Sequence, residues 1–334
     1  MTGRDPVFCF LDKSITKTEE NLIMKNFEPK YPSAIPAWIP EHQGKVRDSF
    51  ALPGYDDLML VDVTDRISTH NIVHESLIPG KGYSLTALTV FWMKKFESLG
   101  IRTHLVAYGQ GIYRYIRTPE TLPADLHLRA IVVRRLDMVD REFIFRDRMG
   151  GSLWKDYYSK GSPNPYGLDF PEGLQLMSKF PELVFTPTEK SENDDPVTAA
   201  SVLEQHPEES ALARCAFEVV YEHNKERGIE TMDGKGEIGI DPRNGKPTVG
   251  DEFGTPDCCR YVEESEIVVG KEPSWLDKQY VREEAERYWK REGKGRHPIS
   301  FSREVVSTTS GIYEHIAGRI LDMPLSEYQQ WMFS

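Results

Sequence analysis

The most constraining feature of this chain is a predicted β-hairpin centred near residue 245. Two strands are predicted, 231–240 and 246–253, and they meet at Asn244-Gly245. This dipeptide is typical of turns because both residues tolerate positive φ. Successive side chains of a strand point to opposite faces, so the charged residues that alternate along the first strand share one face. They are Asp233, Lys235 and Glu237. A strand in solvent needs no such ordering, so the pattern favours a charged functional site.

The returning strand carries two further carboxylates, Asp251 and Glu252, and the loop length decides which of them faces Glu237. A two-residue loop places Glu252 opposite Glu237, whereas a three-residue loop, 243–245, places Asp251 there. We favour the three-residue loop because it brings two carboxylates within reach of one hard cation. Lys235 then lies beside them, as the chemistry of magnesium nucleotides requires. The alternative is an exposed hairpin whose charges are only solvated.

The length of 334 residues is sufficient for about two domains with a sizeable core. Hydrophobic residues make up 39% of the chain, and no apolar run approaches the ~20 residues that cross a bilayer. Near the amino terminus a short apolar patch is interrupted by Asp12 and Lys13, so it lacks the apolar core of a signal peptide. We therefore expect a cytoplasmic protein without a membrane partner.

Charge and cysteine usage narrow the function further. The four cysteines give neither a disulfide framework nor a zinc spacing, since Cys258 and Cys259 are adjacent and the others are distant. This usage is typical of a reducing compartment. A net charge of −12 argues against a nucleic-acid partner or an anionic membrane. An anionic small substrate would therefore need a local basic pocket.

Two basic segments are candidates for such a pocket. In GKVRD, Lys45 and Arg47 share one face of a predicted strand, although two alternating cations are more common as solvated strand positions. In RDRMGGS, Arg146, Arg148 and Ser152 lie beside two glycines, where a phosphate can approach backbone N–H groups. Structural ion pairs are the alternative for these arginines.

Two connections that follow predicted strands are also candidates for parts of a functional site. TDRIS, which contains Ser68, follows the buried-looking strand LMLVDV and so lies at a strand end, where functional loops are common. Asp137-Met138-Val139 joins the predicted strands 128–136 and 142–146. A short apolar connection can pack on an adenine ring, and a plain hairpin loop is the alternative.

Apolar residues at helical spacing predict four helices, at 84–99, 208–227, 276–290 and 303–321. Ser84 is the candidate N-cap of the first helix, and Gly100 follows its end. One face of the second helix is predicted to carry Leu212, Cys215, Val219 and His223. We interpret the apolar stripe of the first helix as core and not as a cofactor site.

Taken together and in order, five segments resemble the SAICAR synthetases, the phosphoribosylaminoimidazole-succinocarboxamide synthases of purine biosynthesis. The segments are GKVRD, TDRIS, RDRMGGSLWKDY, FTPTEK with its acidic continuation, and DEFGTPDCCRY. The resemblance runs from about Gly44 to the carboxyl terminus and is specific because the motifs occur jointly. It implies an ATP- and magnesium-dependent ligase that condenses the carboxylated aminoimidazole ribotide, CAIR, with L-aspartate, giving SAICAR, ADP and phosphate.

The resemblance also implies a two-domain α+β fold related to ATP-grasp enzymes, with antiparallel sheets and flanking helices. An extended arm, 1–40, is expected to precede an ATP-phosphate-binding domain, 41–135, and a catalytic domain, 136–334. ATP is expected between the two domains.

Residue roles follow from the matched motifs. Lys45 and Arg47 are expected to hold the ATP phosphates, and Met138 to line the adenine pocket. Glu237 and Asp251 are the expected magnesium ligands. Lys235 is expected to face the transferring phosphoryl group.

The remaining matched positions surround the other substrates. Three are expected to grip the ribotide phosphate, namely Arg146, Ser152 and Arg260. Three more are expected to bind substrate, namely Ser68, Asp233 and Asp257. The family has a lysine and an acidic loop near the reacting groups. In this chain the matching residues are Lys190, Glu192 and Asp195. Either Asp194 or Asp195 is expected to accept a proton from the amine of L-aspartate.

The chain departs from the usual family pattern at three places. Cys258-Cys259 stands where Ser-Ser or Gly-Ser is common, Asp194 stands where His is common, and Asn71 replaces an aspartate. A thiol is a weaker hydrogen-bond donor than a hydroxyl, so these changes bear on the L-aspartate side. One alternative is therefore a divergent ligase with another carboxylate or amine. Another is a nucleotide-binding regulatory protein without turnover, against which the joint presence of Lys235, Glu237 and Asp251 argues.

Overall fold

The computed structural model describes residues 31, 35, 38–117, 122–191 and 194–334. Most of the predicted arm, 1–40, and Glu192 therefore lie outside the described residues. No helix within these ranges is long and apolar enough to cross a membrane.

The first half of the described chain builds an antiparallel sheet with the strand order β1-β2-β3-β7-β6. Its strands are β1 (His42–Gln43), β2 (Arg47–Ala51), β3 (Leu58–Val63), β6 (Leu105–Tyr108) and β7 (Ala130–Arg134). Between β3 and β6 the chain forms a separate hairpin of β4 (Arg66–Thr69) and β5 (Ile72–Leu77). Arg47 begins β2, whereas Lys45 lies in the bend before it, so the prediction that both belong to one strand is confirmed only for Arg47.

Helix α1 (Lys81–Ser98) follows this hairpin and buries its apolar stripe, which includes Leu85, Trp92 and Phe96. The predicted N-cap, Ser84, is wrong. The helix begins earlier because Gly80 has φ of 80° at its N-cap, and because the carboxylate of Asp65 accepts the N–H of Gly82 at 2.8 Å. A cap from outside the helix segment leaves no local sequence signal.

The second half of the described chain builds a larger antiparallel sheet around one long strand, β12 (Ile229–Asp241). Its other strands are β8 (Asp137–Met138), β9 (Arg141–Arg148), β10 (Lys179–Phe185), β11 (Thr188–Glu189), β13 (Lys246–Gly250) and β14 (Cys259–Glu263). Strand β12 pairs with β8, β9, β13 and β14, so it is the centre of the sheet.

The hairpin of β12 and β13 has a register that differs from both predictions. Glu237 lies opposite Gly250, and Asp241 lies opposite Lys246, so the loop has the four residues 242–245. The extra residue is accommodated because the backbone oxygen of Asp241 accepts the N–H of Gly245 at 2.8 Å and its carboxylate accepts donors of Arg243. Asp251 consequently lies just past β13, where a φ of 48° turns the backbone.

The remaining helices flank the second sheet and α1. They are α2 (Ala199–Gln205), α3 (Pro207–Lys225), α4 (Gln279–Glu292), α5 (Arg303–Leu321) and α6 (Leu325–Met332). The bounds of α5 are those predicted. The predicted face of α3 is wrong in part, since Cys215 is exposed and the buried face carries Ala213, Ala216 and Phe217. Small residues allow α3 to pack closely on β12, and periodicity alone did not reveal this contact.

One apolar cluster connects the two sheets. It contains Val61 and Ile131 from the first sheet, Phe143 and Phe145 from the second, and Trp92 from α1. The mixture of helices and antiparallel sheets confirms the predicted α+β class. The division at residue 135 falls between β7 and β8 and stays a prediction, as does the relation to ATP-grasp enzymes.

Candidate active site

A cleft of about 1100 Å³ is lined by residues of both main sheets. Most of the predicted site residues line it: Lys45, Arg47, Ser68, Met138, Arg146, Ser152, Asp194, Asp233, Lys235, Glu237, Asp251, Asp257 and Arg260. Lys190 and Asp195 are not among the lining residues. Segments that are far apart in the sequence thus converge on one cavity.

The floor of the cleft is one face of β9 and β12. Asp233 pairs with Arg146 across the two strands, and Lys235 pairs with Ile144. Period-two alternation then places Glu142 on the same face as Arg146, just as it places Glu237 on the face of Asp233. The charged side chains that alternate along β12 therefore face the cleft, as predicted.

Glu237 and Asp251 are close enough for their charges to interact. Burial raises the pKa of Glu237, and the neighbouring charge of Asp251 raises it further. Cations compensate this repulsion, since Lys190 forms an ion pair with Glu237 and Arg47 Nη1 lies 2.5 Å from Asp251 Oδ1. Lys190 thus contacts the acidic pair although it does not line the cleft. The acidic pair attracts cations strongly, as a magnesium site does.

The oxygen donors of this acidic pair fit magnesium rather than a softer metal. Within the described ranges, no group of three or more His, Cys, Asp or Glu side chains could hold a metal ion. Magnesium is commonly held by only one or two carboxylates, with phosphate oxygens and water as its other ligands. Glu237 and Asp251 are two carboxylates of the kind that such a site uses.

Glu142 is a site residue that sequence reasoning missed. Its carboxylate accepts hydrogen bonds from Lys235 Nζ at 2.5 Å and from Thr188 Oγ1 at 2.7 Å. Burial by itself would lower the pKa of Lys235, but the charge of Glu142 raises it above the usual value for lysine. The amine is therefore held in place and protonated. The two-residue alternation of β9 from Arg146 back to Glu142 was the available signal.

The side of the cleft assigned to the nucleotide combines two cations, the exposed Lys45 and the largely buried Arg47, with an apolar wall. Lys45 Nζ donates to Asn71 Oδ1 at 2.5 Å, so the amide at this unusual position contacts the expected phosphate ligand. The thioether of Met138 lies on the backbone of β12 and β13. A Cβ on Gly239 would lie 2.9 Å from Met138 Sδ, and one on Gly250 would lie 3.2 Å from it. Glycine at both positions allows Met138 to form this wall.

His104 lines the same side and was not identified from the sequence. It is 5% exposed, and burial lowers its pKa to about 4. The imidazole is therefore neutral near pH 7 and adds no charge beside Asp251.

On the opposite side, arginines surround one buried carboxylate. Asp233 Oδ2 lies 2.5 Å from Arg146 Nη1, and Asp233 Oδ1 accepts the Nε–H of Arg260 at 2.8 Å. Burial opposes ionisation of Asp233, but the charges of Arg260 and Arg146 hold its pKa below the usual range. Arg282, on α4, also lines the cleft, and burial together with the charge of Arg260 lowers its pKa. Asp277 and Glu286 also line the cleft and interact with these arginines. Three guanidiniums on this side of the cleft nevertheless suit a phosphate.

Gly151 is necessary for this arrangement. Its φ is 57°, and a Cβ there would collide with the guanidinium of Arg260. Ser152 follows it at the rim of the same pocket. Arg148, by contrast, does not line the cleft, because its Nε donates to Glu230 at 2.7 Å. Arg148 therefore forms a structural ion pair, which was the alternative interpretation of these arginines.

Asp257 lies in a second buried charge cluster. Its Oδ2 is 2.9 Å from Lys81 Nζ and 3.6 Å from Lys278 Nζ, and Tyr313 donates to Oδ1 at 2.5 Å. Burial opposes the charge, but Lys278 and Lys81 hold the pKa of Asp257 far below its usual value. Burial also lowers the pKa of Lys278 to about 8.

Sequence reasoning missed Lys81, Lys278 and Arg282. Lys278 and Arg282 are four residues apart at the start of a predicted helix, and this spacing places both on one face. No local sequence pattern pointed to Lys81, because its partner, Asp257, is far away in the sequence.

The two adjacent aspartates of the acidic loop have different surroundings. Asp194 lines the cleft, and burial, aided by the charge of Glu142, raises its pKa. Asp195 holds the loop together instead, because it accepts the hydroxyl of Ser191 at 2.7 Å and its backbone oxygen accepts the N–H of Glu189 at 2.8 Å. Of the two candidate bases, only Asp194 faces the cavity. Ser68, which is 5% exposed in β4, completes the lining on the side of the first sheet.

Comparison with known proteins identifies the family to which these features belong. Residues 41–298 match the family model described as SAICAR synthetase. This chain belongs to the SAICAR synthetase family. Its relatives include the phosphoribosylaminoimidazole-succinocarboxamide synthase of Saccharomyces cerevisiae, which is 32% identical over 286 residues, covering 81% of this chain and 90% of the yeast protein. The enzyme of the same name from Stenotrophomonas maltophilia is 34% identical over 306 residues, covering 86% and 96%.

Solved structures of the family have the same fold. The yeast SAICAR synthase in complex with SAICAR superposes with a TM-score of 0.74 at 29% identity, covering 86% of this chain and 96% of the yeast chain. A SAICAR synthetase in complex with ADP superposes with a TM-score of 0.59 at 21% identity, covering 85% and 98%. At that lower identity the second comparison supports the fold alone.

Proposed function

We propose that this chain condenses CAIR with L-aspartate at the expense of ATP, giving SAICAR, ADP and phosphate in purine biosynthesis. Membership of the SAICAR synthetase family supports this ligase activity. The observation that carries the proposal is the presence of two charge clusters in one cleft. The acidic hairpin with Lys235 suits a magnesium nucleotide, and the arginines around Asp233 suit the phosphate of a ribotide.

The reaction must make a carboxylate electrophilic. An oxygen of the CAIR carboxylate attacks the γ-phosphoryl group of ATP, the bond to ADP breaks, and an acyl phosphate forms. The amine of L-aspartate then attacks the acyl carbon and phosphate leaves. Such phosphoryl transfer depends on positioning and on charge stabilisation, so it needs no protein nucleophile.

On the nucleotide side, Lys45 and Arg47 bind the ATP phosphates and Met138 packs on the adenine. Glu237 and Asp251 would hold magnesium, which when bound offsets the negative charge of the phosphates. Arg47 and Lys190, which neutralise these carboxylates in the structure, are then available to the phosphates. Lys235 remains protonated because of Glu142 and faces the transferring phosphoryl group.

On the ribotide side, Arg146, Arg260 and Ser152 bind the phosphate of CAIR. Asp233 does not contact the phosphate in this scheme, since it orients the two guanidiniums. Asp257, held between Lys81 and Lys278, and Ser68 also line the cleft, and in our proposal both bind substrate.

The amine of L-aspartate must be neutral before it attacks. Asp194 accepts its proton in our proposal, because a carboxylate whose pKa is raised by burial is a better base than an exposed one. Asp195 supports the loop that presents Asp194.

An omission assay tests this function. ADP release is measured with ATP, magnesium, CAIR and L-aspartate, and again with each component left out. We expect ADP and SAICAR in equal amounts, with SAICAR formation dependent on all four components. Turnover with a different amine or carboxylate would instead support a divergent ligase, and nucleotide binding without ADP release would support a regulatory protein.

A further inference from the structure

Arg66, the first residue of β4, holds the backbone of the segment to which we assign the ATP phosphates. This segment, 44–47, is called the nucleotide loop, and all four of its residues line the cleft. Arg66 Nε donates to the backbone oxygen of Lys45, and Arg66 Nη2 donates to that of Gly44, each at 3.2 Å. Two successive carbonyl groups of the loop are therefore bound by one guanidinium.

A third carbonyl group of the nucleotide loop is bound by Thr64. The backbone oxygen of Val46 accepts the N–H of Thr64 at 2.9 Å and its hydroxyl at 2.8 Å. Successive carbonyl groups of an extended strand point in opposite directions, so three that converge on residues 64–66 require the loop to bend. Neither Thr64 nor Arg66 lines the cleft. The carbonyl oxygens, which repel phosphates, are thus bound to donors outside the cleft.

The guanidinium of Arg66 lies on the face of the first sheet opposite to the cleft. Arg47 lines the cleft, and Asp48, the next residue of β2, points to the other face because side chains of a strand alternate. Arg66 Nη2 lies 2.6 Å from Asp48 Oδ1, and Arg66 Nη1 lies 3.2 Å from Asp48 Oδ2. Arg66 therefore holds the nucleotide loop from behind.

The surroundings of Arg66 fix the plane of its guanidinium. Asp48 is fully buried and pairs with it through both oxygens, and Arg66 itself is 5% exposed. The ring of Tyr31 lies over the guanidinium, 5.1 Å from its central carbon. The backbone of Tyr31 is in turn held by the side chain of Gln43, at 2.7 and 3.0 Å. A bidentate pair with a carboxylate sets the direction of the remaining N–H groups, which here point at the loop.

We propose that Arg66 is a positioning residue for the nucleotide. It fixes the backbone of the nucleotide loop so that Lys45 and Arg47 present their charges to the ATP phosphates, and it does not touch the nucleotide itself. This inference rests on the proposed function, in which the loop binds ATP. A lysine at position 66 keeps the charge opposite Asp48, but a single ammonium lacks the planar fork that serves a carboxylate and two carbonyls together.

Arg66→Lys tests the proposal. The Kd for ATP is measured by calorimetry without the other substrates, and the KM values are measured from SAICAR formation. The Kd and the KM for ATP should each rise about tenfold, because two hydrogen bonds that hold the loop are lost or weakened. The KM for CAIR should change by less than about twofold, since its proposed ligands lie on the second sheet and α4.

Arg129→Lys is the matched control. Arg129 forms an ion pair with Asp62, which lies opposite Asp48 across β2 and β3 and is equally buried. Both substitutions disturb a buried ion pair, so both should lower the unfolding temperature. Only Arg66→Lys should weaken ATP binding. If Arg66 serves stability alone, the two variants should affect ATP binding equally, and that result would overturn the proposal.

Thr64→Val keeps the proposal testable if Arg66→Lys does not fold. Valine has nearly the shape of threonine, and the N–H of residue 64 still binds the oxygen of Val46. Only the hydrogen bonds of the hydroxyl are lost. The Kd for ATP should rise about twofold to fivefold, with an unchanged KM for CAIR. In that case, unchanged ATP binding by Thr64→Val would overturn the proposal.

The remaining outcomes separate this inference from the proposed function. A folded Arg66→Lys protein with the ATP affinity of wild type would refute the positioning role, as would equal losses for ATP and CAIR. Either result leaves the ligase activity of the wild type standing. Wild-type protein that binds no ATP would refute the proposed function and this inference with it.

Discussion

The ammonium group of Lys235 donates to a carboxylate oxygen of Glu142 at 2.5 Å, from the neighbouring strand of the same sheet. The other oxygen of Glu142 accepts the hydroxyl of Thr188 at 2.7 Å. The side chain of Lys235 is therefore held in one orientation before the phosphoryl group binds. A buried acid fixes the direction of its side chain, and this contact makes Glu142 a positioning residue for the proposed transfer.

Glu142→Gln should slow turnover while substrate binding is largely retained. The amide keeps the shape of the side chain but loses the charge-assisted hydrogen bond, which is worth about 1.5–3 kcal/mol, so kcat should fall roughly tenfold to a hundredfold. The KM for CAIR should change little. Steady-state kinetics measure both values, and Glu230→Gln, a buried acid paired with Arg148 outside the cleft, is the control. Equal effects of the two variants on kcat would argue against a positioning role.

Asp251→Asn and Glu237→Gln should each abolish turnover and leave the fold intact, because they remove proposed magnesium ligands and not core volume. Activity is measured across a magnesium series, with thermal unfolding followed by circular dichroism. Asp241→Asn is the control, since Asp241 holds the hairpin turn and does not line the cleft. Near-normal rates of both cleft variants at saturating magnesium would refute the assignment.

Arg260→Lys should weaken binding of CAIR. A guanidinium makes two parallel bonds to a phosphate and lysine does not, so the KM for CAIR should rise about tenfold or more, given 1.5–3 kcal/mol for charged hydrogen bonds. The KM for ATP should move far less. Arg148→Lys, outside the cleft, is the matched control. Loss of ATP affinity with unchanged binding of CAIR would contradict the assignment of Arg260 to the ribotide side of the cleft.

Binding of CAIR should weaken as the pH rises through about 8, the lowered pKa of buried Lys278. Above this pH the folded cleft loses one positive charge, so the KM for the anionic ribotide should rise. Lys278→Arg keeps its charge at these pH values and should remove the step from the KM profile. A step that persists in this variant belongs to another group.

The lowered pKa of Lys278 also determines whether its contribution to the free energy of unfolding rises or falls with pH. Below about pH 8 Lys278 is charged in both states. Between that pH and the ordinary lysine value of about 10.4, only the unfolded chain still binds the proton, so the contribution of this lysine to the free energy of unfolding rises with pH. Denaturant titrations of wild type and Lys278→Arg at several pH values measure the difference.

Local patterns were sufficient for part of the fold and of the site. Helix α5 has the predicted bounds because its apolar spacing is long and regular. The alternation of Asp233, Lys235 and Glu237 correctly predicted one charged face, since side chains of any strand alternate whatever surrounds it. The motifs, read together, were specific enough to identify the family.

Contacts between distant segments decided the rest. The hairpin register depended on how Asp241 bonds the turn, and the start of α1 depended on Asp65 from another element. The choice between Asp194 and Asp195 followed from which carboxylate the folded loop turns inward. Periodicity reports only which residues share a face of one element, whereas burial and charge compensation depend on what the folded chain places opposite that face. The sequence alone therefore determined the element types and the family, and the tertiary structure decided which charges meet.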